Sequence, residues 1–437
     1  VRELLQKSGP FRHRNVRLYA WFTVLYNARA YYPVMAVLFL DLGISLDQFL
    51  LLNAIWAATI LLLEVPSGAL ADTLGRRRLI VFAAILMVGE MALLLFAPAG
   101  GGALLLGMCI LNRLLSGASE AAASGADQAL AFDTLVEHGE EDSWDDVLAT
   151  TMRWRSIGFF LAMTTGALVF DDNLLNAILP LDLDHSLTLR FPLAIVFLQA
   201  IACVVIALRM RETKREDDNS ASACDHIRSA TRVTLRAAAW VVKTPLAFRI
   251  VLGGLLIDSI VRNFATINSE YYRLVDLPLW SYGFIGSTIA VFGFFVPVLA
   301  KRMAQRFGPL TNLAFIATVV LLCLTALVPA WPYFGVLPAM LLMTVLGWLD
   351  FLTSRTLNRL ADSKQRATVL SVKGLAFNLG YGSIAVAFGS LVAWQTTVQG
   401  DERAAFLKVL SFQPAYFLVI AAAFFLCCAI TRKRLAT

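Results

Sequence analysis

Apolar residues gather into long runs separated by short polar segments, and each run is long enough to cross hydrocarbon, which takes about 20 mostly apolar residues. The pattern predicts helices at 16–40, 46–72, 78–98, 102–136, 144–170, 190–210, 244–273, 279–302, 309–330, 334–360, 367–396 and 405–431. The expected fold class is therefore an all-α integral membrane protein with twelve transmembrane helices. Pro33, Pro66 and Pro297 fall inside these runs, where neighbouring helices can re-satisfy the freed backbone groups. The first run carries Arg29 and has no small-residue cleavage site behind it, so it is expected to be a retained span.

Composition sharpens the class. Hydrophobic residues make up 58% of the 437, charged residues 16%, and mean hydropathy is +0.70. Soluble domains carry about 25% charge, so a soluble enzyme is excluded. His13, His138, His185 and His226 all lie in polar connections, which argues against a buried histidine metal site. Five of six cysteines (Cys109, Cys203, Cys323, Cys427 and Cys428) sit in apolar runs without metal or disulfide spacing. Neither a metal nor another cofactor is expected.

Placing the N-terminus inside puts 25 of the 37 Lys and Arg in inner segments and four (Arg190, Arg273, Arg403, Lys408) in outer ones. The positive-inside rule then makes both termini cytoplasmic and the location the cell inner (plasma) membrane. The net charge of +6 reads as this topology signal, and no nucleic-acid partner is implied.

The longest connection divides the chain into a six-helix bundle at 1–210, a cytoplasmic linker at 211–243 and a second bundle at 244–437. Within the linker, Ile227, Ala230, Val233, Ala237 and Trp240 share one helical face, and Arg228, Arg232 and Arg236 share another. That pattern suits a helix on the inner leaflet surface.

An internal repeat is visible at one constant offset. Leu70–Gly75 aligns with Met303–Gly308, a shift of 233 residues. The same shift pairs Ile44, Leu46 and Phe49 with Leu277, Leu279 and Tyr282, and Arg29 with Arg262. Two related six-helix halves meeting near the bilayer midplane are the build of repeat transporters. The two arginines are expected at similar depth.

Between the second and third runs stands Gly68-Ala69-Leu70-Ala71-Asp72-Thr73-Leu74-Gly75-Arg76-Arg77-Arg78. This resembles the G-x-L-A-D-x-x-G-R-R loop of the major facilitator superfamily, at the place where that family carries it. Asn112-Arg113-Leu114-Leu115-Ser116-Gly117 is similar to the family's fourth-helix R-x-x-x-G motif. The resemblance covers nearly the whole chain and implies two pseudo-symmetric bundles around a central cavity. It implies a gate motif of Gly68, Asp72, Gly75, Arg76 and Arg77. Gly68 would permit close helix contact, Asp72 would face a neighbouring helix N-terminus, and Gly75 would make the turn. In the second copy Gln305 and Pro309 replace the aspartate and an arginine. The Gly-Pro-rich fifth-helix motif of proton-coupled drug antiporters is absent, because Gly158 to Gly166 contains no proline.

Charges inside a bilayer cost about 2.5–3.5 kcal/mol each on insertion scales, so each is a functional candidate. Arg29, Asp258, Arg262 and Asp350 lie on helices that line the cavity in the family. With Tyr26, Tyr32, Asn378 and Tyr381 they form the candidate substrate-binding set. Tyr31, Tyr271 and Tyr272 also lie near cavity-type helices, the last two at belt depth. Asp258 and Arg262, four apart, can pair with each other instead. Arg113, Glu120 and Asp127 recur every seven residues, nearly on one helical face, and form a candidate proton-coupling ladder. Glu64 and Glu90 read as structural, and Lys373 is expected to face Asp72.

The reading that follows is a secondary active transporter, with protons as coupling partner, moving a small anionic, zwitterionic or amphipathic solute as a monomer in the lipid bilayer. Arg29 and Arg262 would clamp an anionic group, since the planar guanidinium holds carboxylate or phosphate bidentately. The alternative is a proton-coupled exporter of amphipathic compounds or drugs with Arg29 structural, and behind it stand a lipid transporter and a non-transporting receptor. An enzyme finds no nucleophile and base pair, and a receptor finds no large extramembrane domain.

Overall fold

A computed structural model describes residues 9–180, 182–213, 223–362 and 365–434, with the side chains at 72, 73, 223, 224, 294 and 431–434 outside the described set. The described residues contain helices and no strand. The first expected span is broken in two, α1 (Arg14–Asn27) and α2 (Met35–Leu42). A 3-10 turn at Tyr32–Val34 lies between them, where Pro33 has no N–H to continue the ladder. Arg29 therefore stands on non-helical backbone. Next come α3 (Leu46–Leu74), α4 (Arg76–Leu95) and α5 (Ala103–Ala123). At the start of α3, Gln48 accepts from the Ser45 N–H at 3.2 Å and completes a capping box.

The fourth expected span, 102–136, also breaks. After α5 the chain turns at Gly125, with φ of +75°, and restarts as α6 (Ala126–Glu137). Then follow α7 (Trp144–Phe170), the short α8 (Asp172–Ile178) and α9 (His185–Thr188), and α10 (Phe191–Arg209). Beyond the connection lie α11 (Ala223–Lys243), α12 (Pro245–Leu274), α13 (Ser281–Arg306), α14 (Pro309–Leu327), α15 (Val336–Leu360), α16 (Arg366–Gln399) and α17 (Glu402–Arg434). A helix thus stands at every expected position, and α3 and α13 carry Pro66 and Pro297 without interruption.

Among the described residues, nine helices are long and apolar enough to cross a membrane. The expected first, fourth and fifth spans fall outside that group. The break at residues 28–34 leaves the first as helices of 14 and 8 residues, too short to cross alone, whereas Arg113 with Glu120 and Arg153 with Arg155 lower the hydropathy of the other two. Leu62, Leu198, Phe295, Leu322 and Val419 are each about two-thirds exposed. Such an apolar surface is a liability in water and the normal state in lipid.

The N-terminal helices meet the C-terminal ones along three lines: α3 on α16, α7 on α13, and α2 on α12. The last of these contains repeat-related positions. Ser269 Oγ accepts from the Ala36 N–H at 3.0 Å, and 36 and 269 differ by the repeat offset of 233. Equivalent residues that touch each other lie at the axis relating the two copies. The linker helix α11 packs on α3, α12 and α16. Ala237 and Val241 are buried there with Trp240 against Leu357, Leu360, Val369 and Leu370. The end of its apolar face therefore covers protein and not a leaflet, while Val233 remains exposed.

Candidate functional site

Between the two sets of helices lies a cavity of about 380 Å³. The break after α1 contributes Arg29, Tyr31 and Tyr32; α3 contributes Asn53 and Trp56; α5 contributes Arg113, Ser116 and Glu120. From the other side come Arg262 and Thr266 on α12, Met343 on α15 and Tyr381 on α16, while Phe159 and Met163 of α7 close one flank. A second cavity of about 230 Å³ adjoins it, sharing Trp56 and Glu120 and adding Glu64, Ser124 and Asn378. Because α5 descends toward the arginine-rich end that holds Arg76–Arg78, this second space lies on the basic side of the first.

Arg29 is held by its own carboxylate. Its Nη1 pairs with Glu90 on α4, both side chains being 4% exposed or less. Its Nε donates to the Tyr26 carbonyl at 3.1 Å. Tyr26 does not line the cavity: its hydroxyl meets Ser119 Oγ at 2.6 Å, and Ser119 in turn donates to the Ala83 carbonyl. This corrects the expectation that Tyr26 touches solute, and gives Glu90 a specific task as counter-ion. Asn112 Nδ2 donates to the Glu90 carbonyl at 2.7 Å and fixes that segment of α4.

Arg262 is paired differently. Nη2 donates to Asp258 Oδ1 at 3.0 Å one turn back, and Nη1 donates to Asn378 Oδ1 on α16 at 2.7 Å. Tyr381 and Thr266 share a hydroxyl contact of 2.9 Å beside it, with the guanidinium 5.6 Å from the Tyr381 ring. Asp258 is buried behind Arg262 and Asn378 lines the smaller cavity, so of the candidate set Arg29, Tyr32, Arg262 and Tyr381 face the main cavity directly. Asp350 does not. It accepts from Lys373 Nζ at 2.7 Å, and Lys373 also donates to Ser354 at 2.9 Å, so Lys373 is tied to α15, while the expected approach to Asp72 rests on a side chain outside the described residues. Both repeat-related arginines reach one cavity, yet each is neutralised by a carboxylate in a non-equivalent place.

The ladder of three ionisable groups is interrupted. Arg113 and Glu120 stand on α5 and line the cavity, but the break at Ser124 and Gly125 moves Asp127 onto α6, where it accepts from Thr23 Oγ1 at 3.1 Å. Glu120 is exposed and opens on both cavities. A constant spacing of seven says nothing about a helix that stops between the second and third members.

At the end away from the basic segments the two sets of helices are fastened together. Arg273 reaches across to Asp41 at 2.5 Å, and within the N-terminal set His185 holds Asp41 in place, lying 3.1 Å from it and 3.0 Å from Asp172. Asp171 accepts from the Trp280 N–H at 3.0 Å, Glu402 from the Leu46 N–H at 2.5 Å, and Thr164 meets Ser287 at 3.0 Å. Backbones approach closely here: a Cβ on Gly283 would stand 2.2 Å from the Met163 carbonyl oxygen.

At the basic end, the turn at Gly75 (φ of +98°) presents the first N–H groups of α4 to the Glu212 carboxylate, at 2.9 Å from Arg76 N and 3.1 Å from Arg77 N. An anion at a helix N-terminus satisfies orphan donors and the dipole together. Arg76 pairs with Asp133 on α6 and donates to the Ala129 carbonyl, and Arg77 donates to the Leu208 carbonyl. The described contacts of this loop thus tie N-terminal helices to one another. Gly68 faces open space, not a close neighbour, and it is the adjacent Ser67 that joins α3 to α5 by donating to the Ala121 carbonyl at 2.7 Å. The Asp72 side chain lies outside the described residues. Removing the Glu212 charge, as in Glu212→Gln, should cost about 1 kcal/mol of stability, checked by denaturation of the detergent-solubilised protein. An unchanged midpoint would show that the cap carries no weight.

Reading residues one at a time missed Asn53 and Trp56 on α3, Phe159 and Met163 on α7, and Glu212. Asn53 did leave a signal, as a polar residue inside the run Leu50-Leu51-Leu52-Asn53-Ala54-Ile55-Trp56. Trp56, Phe159 and Met163 left none, because an apolar cavity wall and an apolar packing face read alike.

The cavity, the fastened end and the repeat axis can be set beside known proteins. By overall fold the chain is similar to the nucleoside transporter NupG, with a TM-score of 0.71 at 15% identity, covering 94% of this chain and 97% of that one. It is similar to a bacterial homologue of the human lysosomal transporter Spinster in an inward-facing, unoccupied conformation (TM-score 0.68, 15% identity, 94% and 95% covered). A D-xylose-proton symporter follows at 0.59 and 13% identity, with 92% and 96% covered. Among curated proteins the sequence finds no match. The sequence profile of the Major Facilitator Superfamily matches residues 19–381, most of the chain and both copies of the repeat. This chain therefore belongs to the major facilitator superfamily and is a transporter, not an enzyme.

Proposed function

We propose that the protein is a proton-coupled secondary transporter of a small organic solute, working by alternating access between bundles at 1–210 and 244–437 joined by the 211–243 linker. The observation that carries this is the cavity between the helix sets, with Arg29, Arg113 and Glu120 contributed by one set, Arg262 by the other, and aromatic and Met side chains over much of the remaining wall. Orientation follows the basic residues, which place both termini in the cytoplasm of the cell inner membrane. The fastened end is then external, and the state described is closed to the outside. Opening inward is supported by the second cavity on the basic side.

Glu120 is assigned the coupling proton. It is the carboxylate of the α5 pair that reaches both cavities, whereas Asp127 sits on a separate helix. A monomer suffices for this mechanism. A solute such as uridine or D-xylose, taken from the structural neighbours, and an aromatic amphipath, taken from the Tyr and Trp walls, are the first compounds to try. Solid-supported-membrane electrophysiology of proteoliposomes would record charge movement on solute addition under an imposed pH gradient. Glu120→Gln should abolish gradient-driven accumulation and keep gradient-free exchange. Wild-type pH dependence in that variant would move the proton elsewhere. The exporter reading is favoured by one observation, the breadth of aromatic and Met surface in the cavity, and it predicts gradient-driven extrusion in the same assay.

A further inference from the structure

We infer that the solute carries an anionic group on an aromatic or similarly flat apolar body, and that Arg113, not the repeat-related pair, receives that group. This rests on the transport reading above. The argument starts from the charges on the cavity wall. Arg29 is matched by Glu90, and Arg262 by Asp258 and Asn378. Each of these guanidinium groups is already served, and a solute anion would have to displace a carboxylate from it.

Arg113 is the exception. It is 4% exposed, it makes no hydrogen bond or ion pair among the described residues, and its Nε and Nη2 are buried without partners. Its guanidinium lies over the Phe39 ring, 4.9 Å from the centroid, which orients the planar fork without neutralising it. The side chain lines the main cavity. A buried cation with free donors and an open space in front of it is unfavourable until an anion arrives, and an arginine fork suits carboxylate or phosphate. Glu120 stands seven residues along α5, about 10 Å away by helix rise, too far to meet it in this arrangement. Much of the remaining wall is ring surface, from Tyr31, Tyr32, Trp56, Phe159 and Tyr381, with Met35, Met163 and Met343 beside the rings and Asn53, Ser116, Thr266 and Asn268 as the uncharged polar positions. A flat apolar body with one negative end answers both features.

A matched set of probes tests this on the full-length protein in detergent: indole-3-acetate, its neutral isostere indole-3-acetamide, and the cation tryptamine, with sodium chloride and sodium phosphate as inorganic controls. Binding is read by thermal shift and calorimetry. Indole-3-acetate should bind about tenfold or more tighter than the amide, as a charge-assisted contact requires. Arg113→Gln should erase that preference, and Arg113→Lys should keep part of it. The ligand-free protein gives a second readout that needs no solute. Arg113→Gln should raise its melting temperature, because an unpaired buried charge is removed, while Arg262→Gln should lower it by stranding Asp258.

Equal binding of acid and amide, or preference for tryptamine, overturns the inference. So does an acid preference that survives Arg113→Gln and disappears in Arg262→Gln, which would restore the clamp of repeat-related arginines. Chloride or phosphate stabilising as well as indole-3-acetate would make the site a small-ion site and overturn the aromatic part. Failure of all three indoles to bind removes the aromatic anion as well. None of these results touches the transport reading, which stands or falls on flux in proteoliposomes.

Discussion

Gly283→Val should hold the protein away from the state described here and abolish transport while leaving it folded in the membrane. A Cβ at this position would stand 2.2 Å from the Met163 carbonyl oxygen and 2.9 Å from its carbon. Those atoms are backbone and cannot swing aside as a side-chain tip can, so α7 and α13 must separate. Forcing extra atoms into a packed contact costs about 1–3 kcal/mol, enough to shift a two-state balance by about tenfold to a hundredfold. The separation is confined to the fastened end, so arrangements with that end open are spared. Trp280→Cys provides a reporter there, since its backbone N–H is bound to Asp171 in the closed arrangement. In the Gly283→Val background its labelling by a membrane-impermeant maleimide should accelerate. An unchanged labelling rate with normal transport would mean that this close approach does not gate the cycle.

Glu90→Gln is expected to be the most destabilising single charge removal. It leaves Arg29 buried at 4% exposure without its counter-ion, a situation that typically costs about 3–5 kcal/mol. Arg29→Gln strands Glu90 in the same way, and Glu90 already has one oxygen without a hydrogen-bond partner. The two losses should not add. Arg29→Met combined with Glu90→Met should lie much closer to the parent than either single variant, because an apolar pair of similar volume replaces a costly ion pair. Chemical denaturation in detergent measures all three. If Glu90→Gln melts with the parent, the pair is not what holds residues 28–31 in place, and Arg29 returns as a free solute ligand.

What was legible in the sequence follows the range of the interaction that each feature depends on. Helix ends are local: the sixth run was expected at 190–210 and is found at Phe191–Arg209, because Arg and Pro flank an apolar stretch. The repeat was legible because an offset compares residue types directly. The break after Asn27 left a signal in Pro33, but Pro66 and Pro297 pass through intact helices, so a proline alone does not mark a break; at Ser124 small residues continue across the turn and mask the change in backbone direction. Pairing is the least local feature. Glu90 lies 61 residues from Arg29, and nothing in either run says that they meet. Equivalence under the repeat was even misleading, because Arg262 finds its carboxylate one turn away on its own helix. Arg113 stood out in the sequence through its motif and its charge, but its lack of a partner is a property of the packed arrangement and not of any pattern of letters.

The small residues at the fastened end also bear on temperature. When two surfaces close, each long side chain that becomes fixed gives up about 0.5–2 kcal/mol of rotamer freedom, whereas Gly and Ala give up none. The contact of Gly283 with the Met163 backbone, and of Gly389 with the Asp47 backbone, is of the second kind. Closing and parting there freezes and releases little disorder, so the balance between the two states is set mainly by enthalpy, by hydrogen bonds such as Ser269 to Ala36 and ion pairs such as Arg273 to Asp41. Warming should then move the conformational equilibrium gently, in proportion to that enthalpy, without the abrupt loss of closure that a rim of long, ordered side chains would bring.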